Sequence, residues 1–496
     1  MNLPRTIHEL HRRLLAEEFS VVEYYQSLVR QIAQDQALNI WLSCVDDAHL
    51  LAQATRCDTM LKEHGDALFH PSSDRYMALF AVPVGLKDNI CMRGLPTTAA
   101  SRMLEHYHSP YDATVVTRLQ QAGAIILGKL NMDEFGMGSS GKNSAFGATV
   151  NPRHPELIPG GSSSGSAAAV AAHHVLVALG SDTGGSCRQP AACCDLVGFK
   201  PTYGKISRYG LIAYASSLDC IGVIANNSSD IGVALDVIAG HDPHDSTSRE
   251  DQKPSHKAPA DMVVGVLSSM LDWAHCDPRI SSACRDFVRM LEVAGVKCVP
   301  VHLDGVERLS STYATIASSE ASSNLARYTG LFFGANSNAM PDLDDFFGAD
   351  TDDIDALMTE HRTRLLGPEV KKRILLGTHV LSAKNQAHYY ARAVQQQHEV
   401  RRQFSDILSR VDVLFMPTMP CFPARQDAKQ EPMLDRFMHD VYTIPANLTG
   451  CPALSFPVEV NSPHDRPAVS AQFMAAHAQD ETLVNFVDYC QRLLKS

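Results

Sequence analysis

No run of apolar residues reaches the roughly 18 that a membrane-spanning helix needs. The opening residues, Met1 to Glu9, contain no apolar signal core. Both absences lead us to expect a cytoplasmic protein with no membrane attachment. Positive charge is in short supply as well: 43 Lys and Arg against 55 Asp and Glu give a net charge of −12. A chain that grips a phosphate backbone unaided is thereby excluded, because such affinity comes from clustered Lys and Arg. The thirteen cysteines are odd in number and scattered, with Cys193-Cys194 the one adjacent pair, so reduced thiols are expected rather than a disulfide framework.

Metal-ligand spacing is missing too. His8-Glu9-Leu10-His11 is one residue short of the zinc-protease spacing, and His106-Tyr107-His108, His173-His174 and His241-Asp242-Pro243-His244 lack companion ligands. No metal is expected. Gly136-Met137-Gly138-Ser139-Ser140-Gly141 matches the dinucleotide fingerprint in letters only. That fingerprint needs a strand directly before it and a helix directly after. Here the preceding apolar strand ends at Leu127, and Lys142 to Gly147 is not helical in pattern. No internal repeat is present.

What is there is ordinary for a soluble globular protein with a sizeable core: 496 residues, 45% hydrophobic and 20% charged. The first seventy residues carry helical spacing from Ile7 to Leu15 and from Val21 to Ile32. Thr6-x-x-Glu9 and Ser20-x-x-Glu23 have the form of capping boxes. Residues 1–70 are expected as a helical segment packed on a single catalytic domain, 71–496.

Leu79 to Leu86 reads as a buried strand ending at Lys87. Asp112 is placed to cap a helix running to Ala122, Gly123 stops it, and Ala124 to Leu127 is the next strand. The alternation continues: Val263–Leu267, a helix near 280–294, Val296–Val301, a helix near 396–408, Val413–Met416, Val469–Met474, and a helix from Asp480. It predicts an α/β fold with a large mixed, mainly parallel twisted sheet covered by helices on both faces. A polar stretch near 245–262 is expected as a surface connector. A segment near 334–362, with seven aspartates between Asp342 and Asp355, is expected as a solvated acidic insertion.

The informative block runs from Pro159 to Gly204. Pro159-Gly160-Gly161-Ser162-Ser163-Ser164-Gly165-Ser166 leads into an alanine-rich helix, Ala167 to His173. A short strand, Val175 to Leu179, then leads into Gly180-Ser181-Asp182-Thr183-Gly184-Gly185-Ser186. A Ser/Gly run is ordinarily a flexible linker. This one is fused to an apolar helix, and a second small-residue loop follows one helix and one strand later, so the two loops could meet. Thr183, Gly184 and Gly185 suit an oxyanion hole, since glycines let successive backbone N–H groups converge on one point. Ser186 closes that loop as a nucleophile. No histidine lies near either motif, so a serine–lysine arrangement is the alternative base. Such a lysine must be neutral, and lowering its pKa to near 7–8 costs roughly 3.5–4.5 kcal/mol, which requires burial or nearby positive dipoles. Lys87, ending an apolar strand, is suitably placed.

This block resembles the amidase signature family, which it matches at Lys87, Ser162 and Ser186 together, with both spacings preserved. The resemblance implies that Ser186 forms the acyl-enzyme. It implies that Ser162, following a cis peptide bond, relays the proton to Lys87, and that Thr183, Gly184 and Gly185 supply oxyanion donors. Ser164 stands where the family usually has glycine; if that position needs positive φ, Ser164 carries strain.

Within the family, the similarity is to the glutamine-hydrolysing subunits of tRNA-dependent amidotransferases. It rests on Asn131-Met132-Asp133-Glu134-Phe135, Gly198 to Gly204, Ser207 to Leu211, Glu320 to Arg327, Glu369 to Ile374 and Pro445 to Leu448. That branch implies Arg373 as anchor for the glutamine α-carboxylate and Asp440 for its α-ammonium. It implies a larger tRNA-binding, ATP-using partner and a small clamp subunit, with ATP and Mg used by the partner and no cofactor in this chain. Two other classes remain open: a stand-alone amidase for aliphatic, aryl or lipid amides, and a catalytically silent scaffold, which intact Lys87, Ser162 and Ser186 oppose.

Overall fold

Short apolar segments separated by helices have one way to bury both of their faces, which is to lie side by side in a sheet roofed on either side. In the computed structural model, which describes residues 2–250, 257–331, 354–428, 439–459 and 466–495, this is what they do. The strands are β1 (Trp41–Cys44), β2 (Pro83–Lys87), β3 (Ile125–Leu130), β4 (Val177–Asp182), β5 (Val197–Lys200) and β6 (Cys220–Ala225). They continue with β7 (Val263–Leu267), β8 (Lys297–Val301), β9 (Val413–Pro417), β10 (Ala453–Pro457) and β11 (Ser470–Ala475). Among the described residues they form one eleven-stranded sheet in the order β1-β3-β2-β4-β6-β5-β10-β11-β9-β7-β8.

Every residue of β2, β3, β4, β5, β6, β9 and β11 is buried. Successive side chains of a strand point to opposite faces, so both faces of the sheet are covered. The edge strands β1 and β8 are only partly covered. Pro300 in β8 is tolerated because an edge strand leaves one side of its ladder unused.

The expected mixed sheet is present, with less parallel pairing than the sequence suggests. β2 pairs parallel with β3 and β4, and β7 with β8 and β9. The other six neighbour pairs are antiparallel. The central strands β5, β6 and β10 have no counterpart among the sequence expectations, and all three pair antiparallel. Parallel neighbours need a long crossover, whereas an antiparallel neighbour can come from anywhere in the chain.

Several local expectations shift. The strand expected from Leu79 begins only at Pro83, because Leu79 to Val82 turn, with Ala81 at φ 57°. Asp112 does not cap the helix Thr114–Gln121; its carboxylate accepts the Arg93 N–H at 2.7 Å, and the cap position falls on Ala113. Ser20 and Glu23 form the complete capping box, whereas Glu9 turns to the N–H of Arg5. The first seventy residues are mostly helical but also donate β1, which pairs with β3 at the sheet edge. Of the connector near 245–262, Asp245 to Arg249 is fastened to the Gly204–Arg208 loop, and residues 251–256 lie outside the described residues. Residues 334–353 of the acidic segment also lie outside them; its remainder opens the helix Ile354–Leu365.

Candidate active site

Lys87 ends β2, an interior strand between β3 and β4, and has no exposure to solvent. Its Nζ lies 2.7 Å from Ser162 Oγ, 2.9 Å from Ser163 Oγ and 2.9 Å from Ser181 Oγ. Burial pushes the Lys87 ammonium down to about 8, even though Cys187 and the carboxylates of Asp133, Asp182 and Asp219 favour the charged form. A neutral amine donates two protons and accepts one. Within this ring of three hydroxyls, one must therefore turn its proton toward Nζ, and Ser162 is the nearest.

The Gly161–Ser162 peptide bond is cis. Asp133 holds this turn from outside: its own N–H donates to Ser162 O at 3.1 Å, while its carboxylate accepts the N–H groups of Gly141 and Asn143. A side chain on Gly161 would collide with that carboxylate, so glycine is required there by close approach. The glycine-rich run 136–141, dinucleotide-like in letters, is thus part of the wall around Ser162. Ser164 carries no strain: it is the first residue of the helix Ser164–Ala171, is not among the positive-φ residues, and its Oγ lies 3.1 Å from Thr149 Oγ1.

The second loop arrives from β4. Ser163 N–H donates to Ser186 O at 3.2 Å, joining the two serine loops as the sequence suggests. Asp182 shapes the turn: it accepts from Gly185 N–H at 2.9 Å and Cys187 N–H at 3.2 Å, and pairs through both oxygens with Arg188. Burial alone would raise the Asp182 pKa, but the Arg188 guanidinium holds it down at about 2. The sequence points to Gly185 as an oxyanion donor. Its N–H is committed to Asp182 instead, which leaves Thr183, Gly184 and Ser186 as the N–H groups the loop can offer. Gly185 sits at φ 129° with Thr443 against it, a conformation and a contact that exclude a side chain. Thr183 Oγ1 donates to Asp219 at 2.6 Å.

Arg373 lies on the helix Pro368–Leu381, buried, with Nε donating to Glu369 Oε1 at 3.0 Å and Nη1 donating to the Tyr214 hydroxyl. Asp440 opens the segment whose Thr443 donates from Oγ1 to Gly184 O at 2.6 Å. Burial pushes the Asp440 carboxyl up to about 7, with nearby Arg373 pulling the other way. Tyr313 bridges the two halves: its ring occupies the space a Gly184 side chain would need, and its phenol hydrogen-bonds with Tyr214 near the charges of Arg373 and Asp440. All eight residues singled out from the sequence therefore belong to one locality. Sequence reasoning missed Asp133, Ser163, Ser181, Asp182, Arg188, Tyr214, Asp219 and Tyr313. Asp182 and Arg188, flanking the Thr183–Ser186 loop, were the two with a positional signal.

A buried lysine within reach of a serine loop, beside a second serine loop rich in glycine, defines an amidase-type acyl-transfer site. The Amidase family model matches residues 21–484, and the chain belongs to that family. It is 42% identical over 465 residues to the A subunit of glutamyl-tRNA(Gln) amidotransferase from Thermosynechococcus vestitus, covering 92% of this chain and 91% of that protein. The crystal structure of the corresponding Thermotoga maritima protein superposes with a TM-score of 0.72 at 33% identity, covering 93% of this chain and 89% of the other. Peptide amidase from Stenotrophomonas maltophilia superposes with a TM-score of 0.76 at 26% identity, covering 99% and 97%. Among the described residues no helix is long and apolar enough to cross a membrane.

Proposed function

We propose that this chain hydrolyses the side-chain amide of glutamine and supplies the ammonia to a partner that converts Glu-tRNA(Gln) to Gln-tRNA(Gln). The observation that carries the chemistry is the buried Lys87 amine, 2.7 Å from Ser162 Oγ and poised near neutrality. Ser186 Oγ attacks the amide carbon. Its proton passes to Ser162 as the Ser162 proton passes to Lys87 Nζ, so the nucleophile gains charge without a histidine. The N–H groups of Thr183, Gly184 and Ser186 receive the oxyanion. Collapse breaks the C–N bond, the nitrogen takes the proton back through the same relay, and ammonia leaves. Water then enters along the same path and releases glutamate from Ser186.

Glutamine is selected by its other end. A guanidinium fork suits the α-carboxylate and a carboxylate suits the α-ammonium, which are the parts given to Arg373 and Asp440. A stand-alone amidase for simple amides has no use for that pair of opposite charges. The relatives' names and the net charge of −12 support a division of labour. A larger partner holds tRNA and uses ATP with Mg, and a small one clamps the pair.

The test uses the complex with its partners. Ser186→Ala should abolish glutamine-dependent amidation of Glu-tRNA while high ammonium chloride restores it. In the wild-type enzyme a glutamine-derived electrophile should label Ser186. Failure of ammonium to rescue an intact complex would mean that Ser186 also serves the amidation step, and the proposed split would be wrong.

A further inference from the structure

Tyr214 has no part in the chemistry above, yet two of the site's components meet on it. It is 3% exposed. Its hydroxyl accepts a hydrogen bond from Arg373 Nη1, while Arg373 Nε donates to Glu369 at 3.0 Å. One partner leaves a guanidinium free to pivot; two partners on different nitrogens fix its plane. The Tyr214 backbone faces the other way. Its N–H donates to Asp219 Oδ2 at 2.9 Å, and Asp219 Oδ1 accepts from Thr183 Oγ1 at 2.6 Å. A buried chain of hydrogen bonds therefore runs from Arg373 through Tyr214 and Asp219 to Thr183. Tyr214 also flanks the relay serine: a side chain placed on Gly136 would touch Ser162 Oγ at 3.7 Å and Tyr214 Cβ at 3.9 Å.

We propose that Tyr214 is a positioning and specificity-determining residue, whose hydroxyl aims Arg373 at the substrate carboxylate and keeps that anchor in register with the nucleophile loop. The inference rests on the reading of Arg373 as the carboxylate anchor. The chemistry of the phenol is what suits it to the task. Glu369 already offsets the charge of Arg373, and a second carboxylate in place of Tyr214 would leave the three groups net negative and repel the substrate carboxylate. A phenol accepts the same hydrogen bond without cancelling charge. Burial raises its pKa above the ordinary value, so it stays neutral. Supports that lock a binding group within a fraction of an ångström decide how much of its interaction the substrate receives.

The experiment compares glutamine with 4-aminobutanamide, which keeps the amine and the amide but lacks the α-carboxylate. Both are assayed on the full-length wild-type protein and on Tyr214→Phe, in whichever assembly it is purified. Tyr214→Phe should raise the KM for glutamine about tenfold, the scale of one lost hydrogen bond to a charged group, with kcat little changed. Its kcat/KM for 4-aminobutanamide should hold, which also certifies the fold. Incorporating 3-fluorotyrosine at position 214 weakens the oxygen as an acceptor at nearly constant volume. It should produce the same selectivity loss in smaller measure, and it serves if the phenylalanine variant does not fold. Equal losses on both substrates would make Tyr214 merely structural, and no change on either would make its hydroxyl idle; each overturns the proposal. Arg373→Ala run in parallel separates the two claims. If it leaves the glutamine to 4-aminobutanamide ratio untouched, the anchor reading itself is wrong. If it collapses the ratio while Tyr214→Phe does not, only the role of Tyr214 falls.

Discussion

The serine–lysine half of the site and the anchor half are built on opposite principles. Lys87, Ser162, Ser163, Ser181 and Ser186 come from strand ends and loops within one hundred residues of chain, and their charges are settled internally. Asp182 is paired with Arg188, and Lys87 is ringed by hydroxyls. The anchor half draws on Tyr214, Tyr313, Glu369, Arg373 and Asp440, spread over more than two hundred residues. Arg373 is offset by Glu369, but Asp440 is buried and pushed up to about 7, its charge less settled. On the proposed mechanism, the difference teaches that the reacting groups are preorganised before substrate arrives, whereas the proposed anchors await a zwitterion to complete their electrostatics.

The widest way to break this comparison is at Lys87. Lys87→Arg keeps the charge but gives up no proton at working pH, so glutamine hydrolysis should fall on the order of 10³-fold or more, within the range of a lost general base combined with a disturbed relay. In the proposed relay the neutral lysine is the active form. kcat/KM should therefore climb as pH rises toward about 8 and level off above it. Near-normal turnover in Lys87→Arg would make the lysine structural.

Next in size is the internal pair behind the nucleophile loop. Arg188→Met leaves Asp182 buried without its cation, and a broken buried pair typically costs about 3–5 kcal/mol. Thermal unfolding should show the loss. A variant as stable as wild type would mean that the turn is held by Asn447 and the backbone N–H groups alone.

The anchor half should respond more gently and through KM. Arg373→Ala should raise the glutamine KM some tens- to a hundredfold, corresponding to about 2–3 kcal/mol for a lost charge-assisted contact. Discrimination against propionamide should narrow. An enzyme that already preferred propionamide would instead be a stand-alone amidase.

The smallest effect sharpens the contrast in electrostatics. In the proposed reading the ionised Asp440 is the form that receives an ammonium, and its carboxyl is pushed up to about 7 by burial, with Arg373 opposing. Protonation below that value should therefore weaken glutamine binding, raising KM about tenfold between pH 8 and pH 6. Asp440→Asn should flatten that dependence at a uniformly higher KM.

Legibility followed the same division. The two serine loops could be read because glycines and serines cluster where backbone N–H groups must converge, and because both loops sit at the ends of apolar segments. Arg373 and Asp440 carry no such local mark. A single Arg on an amphipathic helix looks like surface charge until the helix Pro368–Leu381 is seen to turn it inward onto Tyr214. Strands β5, β6 and β10 were missed because runs of four to six residues interrupted by glycine or bounded by proline have no distinguishing period. The commitment of Gly185 N–H to Asp182 was invisible for a different reason: whether a glycine amide faces the substrate or the protein depends on φ, which glycine leaves open.

By itself, the sequence determined the local chemistry: a lysine closing an apolar strand, two loops of small residues able to hold serines at close approach, and enough apolar periodicity for an α/β sheet roofed by helices. Only the tertiary structure decided that the Gly185 amide is committed to Asp182, that Arg188 neutralises Asp182, and that Tyr214 and Tyr313 join segments far apart in the chain. Local conformation follows from steric limits on neighbouring residues and is written in short stretches of sequence. Pairings across the sheet depend on which distant segments bury each other, and a linear pattern does not specify that choice.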